Sequence, residues 1–463
     1  MGAAMYNCIR SVWLQAACWA FLVLLGAPSV QAGYLYVLND VDGGPNQLYG
    51  YRVNEADGSL TALPGFPMTT GGNGSQNLMS QRLCFDASHA RLYVVNGGSN
   101  TLSANTVNLA DGSLSPLPFS PLALPAGPAQ PVKRWAWCAV AVHPAGSPLV
   151  LVRDQLDITV KPGQLASFII TATTATAAAG NPFDAGDYVY PYALAFSRDG
   201  GYVYAGGNRN TPFFGGYRVD ETTGVLTALP GSPFQSDGAW PLSYAVDIQN
   251  RLFLYSYHDD SVGQGEVYTF ASGVPTAVAG NPFASGLDDG IFGIIHPAGF
   301  YMVADRVGSV VGVSQISGTG AGTTLAAVPG SPFASGGWAP TALALNTAGT
   351  FLYAANTGDR NITTFAVDPQ TGALSIAYNQ PQYTLGASGF VTGIAYAAPP
   401  QPLPPGDLNQ DNAINAVDVA LLARLLADSL IASQIPAPWN GDMDQNGVLD
   451  VLDLTLLELF IGL

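Results

Sequence analysis

Ten oxygen-bearing side chains near the end of this 463-residue chain fall at the spacing that wraps a hard cation. Asp407, Asn409, Asp411, Asn415 and Asp418 occupy positions 1, 3, 5, 9 and 12 of a twelve-residue loop. Asp442, Asp444, Asn446, Asp450 and Asp453 repeat that pattern 35 residues later. Oxygen donors in this order suit calcium, which takes six to eight of them in a flexible shell. Ala413 and Val448, at position 7, would each add a backbone carbonyl, and Asn412 and Gly447, at position 6, tolerate the left-handed backbone a sharp turn needs. Two loops predict two calcium ions. Asx-rich turns that merely cap helices are the plainer reading, and duplication at matched spacing argues against it.

The elements that must hold these loops follow each of them. Leu421, Leu422, Leu425 and Leu426, and then Leu454, Leu456, Leu457 and Leu459, recur at helical spacing. No helix can enter either loop, because Pro404-Pro405-Gly406 precedes the first and Pro438-Trp439-Asn440-Gly441 the second. A loop followed by a helix, twice over, with Asp at position 12, resembles a type I dockerin across roughly residues 405–463. The resemblance implies a calcium-dependent cohesin-type partner and attachment to an extracellular assembly, often one that breaks down polysaccharide. The positions after the ninth ligand are apolar here (Ala416, Val417, Val451, Leu452) and not the Ser-Thr type.

The rest of the chain has another character. It is rich in glycine (54) and proline (34), with 10% charged and 48% hydrophobic residues, the profile of many short strands joined by tight turns. A formal charge of −17 argues against nucleic acid or an anionic membrane as partner. The N-terminus reads as a secretory signal over residues 1–32: Arg10, an apolar run at 16–25, and Val30-Gln31-Ala32 as cleavage site. The run is too short to span a bilayer well, so a soluble, secreted protein starting near Gly33 is expected. Cys8 and Cys18 would leave with the signal. Cys84 and Cys138 remain, three positions out of step in the repeats described next, which favours two buried thiols over a disulfide.

From residue 33 to about 397 the sequence repeats seven times. Gly-Ser/Asn-Pro-Phe stands whole at 180–183, 231–234, 280–283 and 330–333, and degenerate versions surround Pro67, Pro121 and Pro381; successive prolines are 49 to 61 residues apart. An aromatic-rich strand also recurs seven times, at 34–39, 92–96, 149–153, 202–206, 252–257, 300–305 and 351–356. Units of four strands and about 50 residues predict an all-β, seven-bladed β-propeller. The first repeat lacks its small-residue strand and a spare one stands at 391–397, so the two chain ends can pair and close the ring. The Leu-Tyr-Val-Ala-Asn style of repeat with Gly-Ser-Pro-Phe connections is similar to the lactonase-like propellers, which include 6-phosphogluconolactonase. A linker at 398–405, five of its eight residues proline, then leads to the small all-α calcium-binding module at 406–463; as polyproline II it spans roughly 25 Å.

Loops entering the innermost strands would line the mouth of the ring. Alignment of the repeats places Met79, Trp135, Trp137, Tyr190, Tyr192, Trp240, Asp289, Trp338 and Phe390 there, with Arg82 and Arg134 nearby. Trp135, Trp137, Tyr190, Trp240, Trp338 and Phe390 form a candidate ligand rim, because flat faces stack on sugar rings; the competing reading packs them between blades. His143 and His296 hold a turn position that Asp86, Ser197, Asp247 and Asn346 hold in other repeats, and His89 lies in the corresponding turn of its own repeat, which makes them structural. His258, before Asp259 and Asp260, lies on a mouth loop. No catalytic residue is assigned. The leading expectation is a secreted protein that docks through its tail and uses the propeller for recognition or as a scaffold, with carbohydrate as ligand. The alternative is a lactonase or glycan-active hydrolase carried by the same tail.

Overall fold

The computed structural model describes residues 33–398, apart from 76–80, 126–136, 154–162, 187–188, 190, 208–210, 259–260, 378–384 and 387. The expected signal, residues 399–405 of the expected linker and both expected calcium loops lie outside the described residues, as do Trp135, Tyr190, Met79 and Arg134. Seven antiparallel sheets each run from an innermost to an outermost strand. In blade 3, for example, the order is Trp137–Val142, Leu149–Arg153, Gln164–Ile170 and Ala175–Ala177. Each innermost strand lies against the innermost strands of both neighbouring blades, all the way round. That arrangement is a closed seven-bladed propeller.

Closure happens as the spare strand predicts. Phe390–Ala397 is the innermost strand of blade 1 and pairs antiparallel with Tyr34–Asp40, with Tyr34 opposite Ala397 and Asp40 opposite Phe390. Side chains repeat the seam: Tyr353 Oη of blade 7 donates to Gly58 O of blade 1 at 3.4 Å. Equivalent bonds join Tyr36 to Gly112 O and Tyr204 to Gly273 O elsewhere in the ring.

These bonds explain the aromatic-rich strand. Gly58, Gly112, Gly273 and Gly372 sit at positive φ in the outer turns. A Cβ on any of them would meet an aromatic ring of the preceding blade, Phe351, Tyr34, Tyr202 or Phe300, within 2.3 to 2.6 Å. The rings fill the wedge between blades, and glycine makes room for them.

The Gly-Ser/Asn-Pro-Phe marker has an equally local explanation. Its glycine takes positive φ, and its Ser or Asn side chain accepts a backbone N–H from the third strand of the same blade. The following X-Pro bond is cis. Phe183–Asp184, Phe234–Gln235, Phe283–Ala284 and Phe333–Ala334 then add a short strand beside the start of that third strand. Six of the seven sheets therefore carry five strands where the repeat unit predicts four. The extra strand is only two residues long in most blades, below what alternation reveals.

Cys84 and Cys138 are both free. Cys138 is buried, with Sγ 3.4 Å from Pro191 O. Burial pushes the Cys84 thiol up to about 12. Among the described residues no helix is long and apolar enough to cross a membrane.

Candidate functional site at the propeller mouth

The mouth is built by the loops that enter the innermost strands and by the turns after the second strands. In every blade the second strand carries, at its last residue or within two of it, one aligned, buried position: Asn39, Asn96, Arg153, Gly206, Ser256, Asp305 or Asn356. Six of these seven are polar, and a buried polar group has to find partners. Five find them in or beside the entering loop, and Asn356 finds them in Asn361 and Thr363 of the third strand. Asp305 accepts the N–H groups of Asp288 (2.8 Å), Asp289 (3.1 Å) and Gly308 (3.0 Å). Asn39 Nδ2 donates to Ser388 O, Arg153 Nη1 to Pro125 O, and Thr70 Oγ1 donates to Asn96 Oδ1. Ser256 bonds the buried Glu266, which also takes Ser236 Oγ and the Asp237 N–H. Across five of these positions the innermost strand carries a bulge, a common device for re-aiming side chains near sites. The terminal Asn of the repeated strand was visible in the sequence; its role as a clamp on the loop was not.

Three arginines of the mouth are committed to partners. Arg82 and Asp40 form an ion pair at 2.8 Å with both side chains fully buried, and Ser75 completes it through Arg82 Nη2 (2.8 Å) and its own N–H to Asp40 Oδ1 (3.0 Å). Arg306 Nε lies 2.8 Å from Asp289 Oδ2. The Arg153 guanidinium stands 4.8 Å over the Trp137 ring, and burial lowers its pKa to about 10. The centre of the ring holds a cavity of about 230 Å³, walled mostly by apolar side chains such as Leu242, Ile291 and Phe292.

The structure separates the rim aromatics. Trp137 is fully buried, with Nε1 donating to Pro125 O at 3.2 Å. Trp240 is buried against Tyr257, edge to face at 5.6 Å, and Tyr192 belongs to the same core cluster. These rings fasten loops to blades, as the packing reading has it. Phe390 is half-buried. Trp338 is 64% exposed.

The histidines take the turn roles expected of them, at the end of the ring away from the mouth. His143 Nδ1 and His296 Nδ1 each accept the N–H two residues on, at 3.0 Å. His296 Nε2 then donates to Gly349 O of the next blade at 2.7 Å. Burial lowers both pKa values. Among the described residues no cluster of three His, Cys, Asp or Glu side chains could hold a metal ion.

Comparison with known proteins agrees with this geometry. A family model described as lactonase, 7-bladed beta-propeller, matches residues 295–386, and one described as dockerin type I domain matches residues 405–461. Among solved structures, a putative 6-phosphogluconolactonase from Bacteroides fragilis superposes with a TM-score of 0.61 at 15% identity, over 80% of this chain and 99% of its own. A periplasmic gluconolactonase from Pseudomonas aeruginosa does so with 0.59 at 17% identity, over 80% and 100%. No curated protein sequence matches. The chain is therefore a lactonase-like seven-bladed propeller followed by a type I dockerin-like domain; at these identities the structural likeness carries the fold alone.

Proposed function

We propose that this is an exported, calcium-binding docking protein whose tail attaches to a cohesin-type partner and whose propeller is a recognition module for carbohydrate in polysaccharide breakdown. The observation that carries the reading is the duplicated oxygen-donor loop, together with the dockerin match over the same residues. Asp407, Asn409, Asp411, Asn415 and Asp418, with the Ala413 carbonyl, would hold one ion; Asp442, Asp444, Asn446, Asp450 and Asp453, with the Val448 carbonyl, would hold the second. The donor set is entirely oxygen, which fits calcium and not a metal that prefers thiolate or imidazole. Calcium supplies charge neutralisation: it offsets seven carboxylates, three in the first loop and four in the second, that otherwise repel one another.

Recognition is favoured over a phosphosugar lactonase by the state of three mouth arginines. A phosphate site needs cations free to converge on it, and Arg82, Arg153 and Arg306 are bound to Asp40, Pro125 and Asp289.

The test is a calcium titration of residues 33–463. Two ions per chain and a gain of helical far-ultraviolet signal are expected, with Asp407→Ala and Asp442→Ala each losing one ion. A type I cohesin should be retained in calcium and released in chelator. Helical signal that persists in chelator, or cohesin binding indifferent to it, contradicts the reading.

A further inference from the structure

We infer that Trp338 is the stacking platform of a glycan-binding site on the mouth rim between blades 6 and 7. The inference rests on the recognition reading above and adds to it a place and a ligand chemistry. Among the described residues four large hydrophobic side chains are exposed, and Trp338, at 64%, is the only aromatic one and the most exposed. Leaving so large a ring in water forgoes burial that Trp137 and Trp240 obtain at the equivalent loops.

The backbone beneath the ring is fixed. Trp338 N–H donates to Asp359 Oδ2 at 2.8 Å, and its carbonyl accepts Gly358 N–H at 2.9 Å. Ala339 N–H reaches Ser309 Oγ at 3.2 Å, on the turn of the preceding blade, while its carbonyl takes Thr357 N–H at 2.8 Å. Ala339 is held at φ 57°, a conformation that costs an alanine about 1 kcal/mol or more. A strained, four-point mounting that presents a ring to solvent is the kind of arrangement found at ligand sites. The indole lies on Gly358, where a Cβ would come within 2.3 Å of it, while most of the residue stays open to solvent.

The surroundings choose the ligand class. Beside the ring stand the exposed carboxylate of Asp359 and, on the adjoining turn, the partly exposed Arg306 paired with Asp289. An aromatic face with a carboxylate beside it and a guanidinium on the turn that carries Ser309 matches a pyranose, which offers a C–H face and equatorial hydroxyls. A protein interface needs about 1,000 Å² of complementary surface, whereas the apolar part of this patch is one ring and the neighbouring Val307. A chain of charge −17 does not gather nucleic acid around a stacking ring.

The experiment is isothermal titration of calcium-loaded residues 33–463 with soluble cellohexaose, xylohexaose and mannohexaose. At least one hexasaccharide is expected to bind. Trp338→Ala should then weaken it about tenfold or more, Trp338→Phe should fall between, and Gly358→Ala should weaken it by displacing the ring, with all melting temperatures unchanged. Wild-type affinity in Trp338→Ala overturns the placement and leaves the recognition reading intact, with its ligand elsewhere on the propeller. Failure of wild-type protein to bind any of the three overturns both.

Discussion

At the end of the ring away from the mouth one contact recurs from blade to blade, whereas at the mouth each blade meets the same need with a different side chain. The far end uses an aromatic ring against a glycine of the next blade, as in Tyr34 on Gly112, Tyr202 on Gly273, Phe300 on Gly372 and Phe351 on Gly58. The mouth clamps its entering loops with Asn39, Asn96, Arg153, the Ser256–Glu266 pair and Asp305, while Asn356 bonds the third strand of its own blade. A wedge between sheets has one shape, so one solution repeats. A loop clamp needs only a buried polar group with partners, so its chemistry drifts, and a site can grow among the loops it holds.

The largest way to break that contrast is at the buried ion pair of the mouth. Arg82→Met leaves the Asp40 carboxylate buried without its cation and should cost about 3–5 kcal/mol by chemical denaturation. A loss below 1 kcal/mol would mean that water reaches Asp40. At the far end, Gly112→Ala adds a Cβ 2.5 Å from the Tyr34 ring at φ 77°. Strain of that kind costs about 1–3 kcal/mol, and Gly58→Ala, against Phe351 across the closure seam, should match it. Unequal losses would show that the seam is held differently from the other blade interfaces.

A smaller effect comes from pH. His143 and His296 have pKa values lowered first by burial, and both Nδ1 atoms already accept a backbone N–H. The unfolded chain therefore takes up these protons more readily than the folded one. Stability contributed by the pair is fully present above about 6.5, the ordinary histidine value, and falls as pH drops from there toward the lowered folded values. Glu221 and Asp199 beside His143, and the Gly349 carbonyl at His296, reduce the fall without reversing it. Replacing both by Asn, the residue at this turn position in blade 7, should flatten the melting temperature between about pH 6.5 and 5. An unchanged slope would place the acid sensitivity elsewhere. The smallest effect belongs to Trp338→Ala, within about 0.5 kcal/mol of wild-type stability; a large loss would make the ring a packing element like Trp137.

Much of this architecture was legible without coordinates. Seven copies of an aromatic strand and of Gly-Ser/Asn-Pro-Phe count the blades, and the spare strand at the C-terminal end of the ring locates its seam. Both signals are local, because strand alternation and turn chemistry are properties of short segments. The rim was legible only in part. Alignment placed Trp137, Trp240 and Trp338 within two residues of one position of the repeat, yet two are buried and one is exposed. Exposure depends on where neighbouring loops lie, and spacing within a repeat carries no information about that.

Residue types and intervals alone carry the proposal of calcium ligands, since a twelve-residue loop would close on an ion with donors from its own segment. They also determine the number of blades, since each unit is one segment that cannot bury its faces alone. Tertiary structure decided the pairing of Asp40 with Arg82, the clamps at the ends of the second strands, and the mounting of Trp338 on Gly358 and Ser309. Each joins groups distant in sequence or on neighbouring blades, and only packing of sheet against sheet brings them within hydrogen-bonding or van der Waals reach.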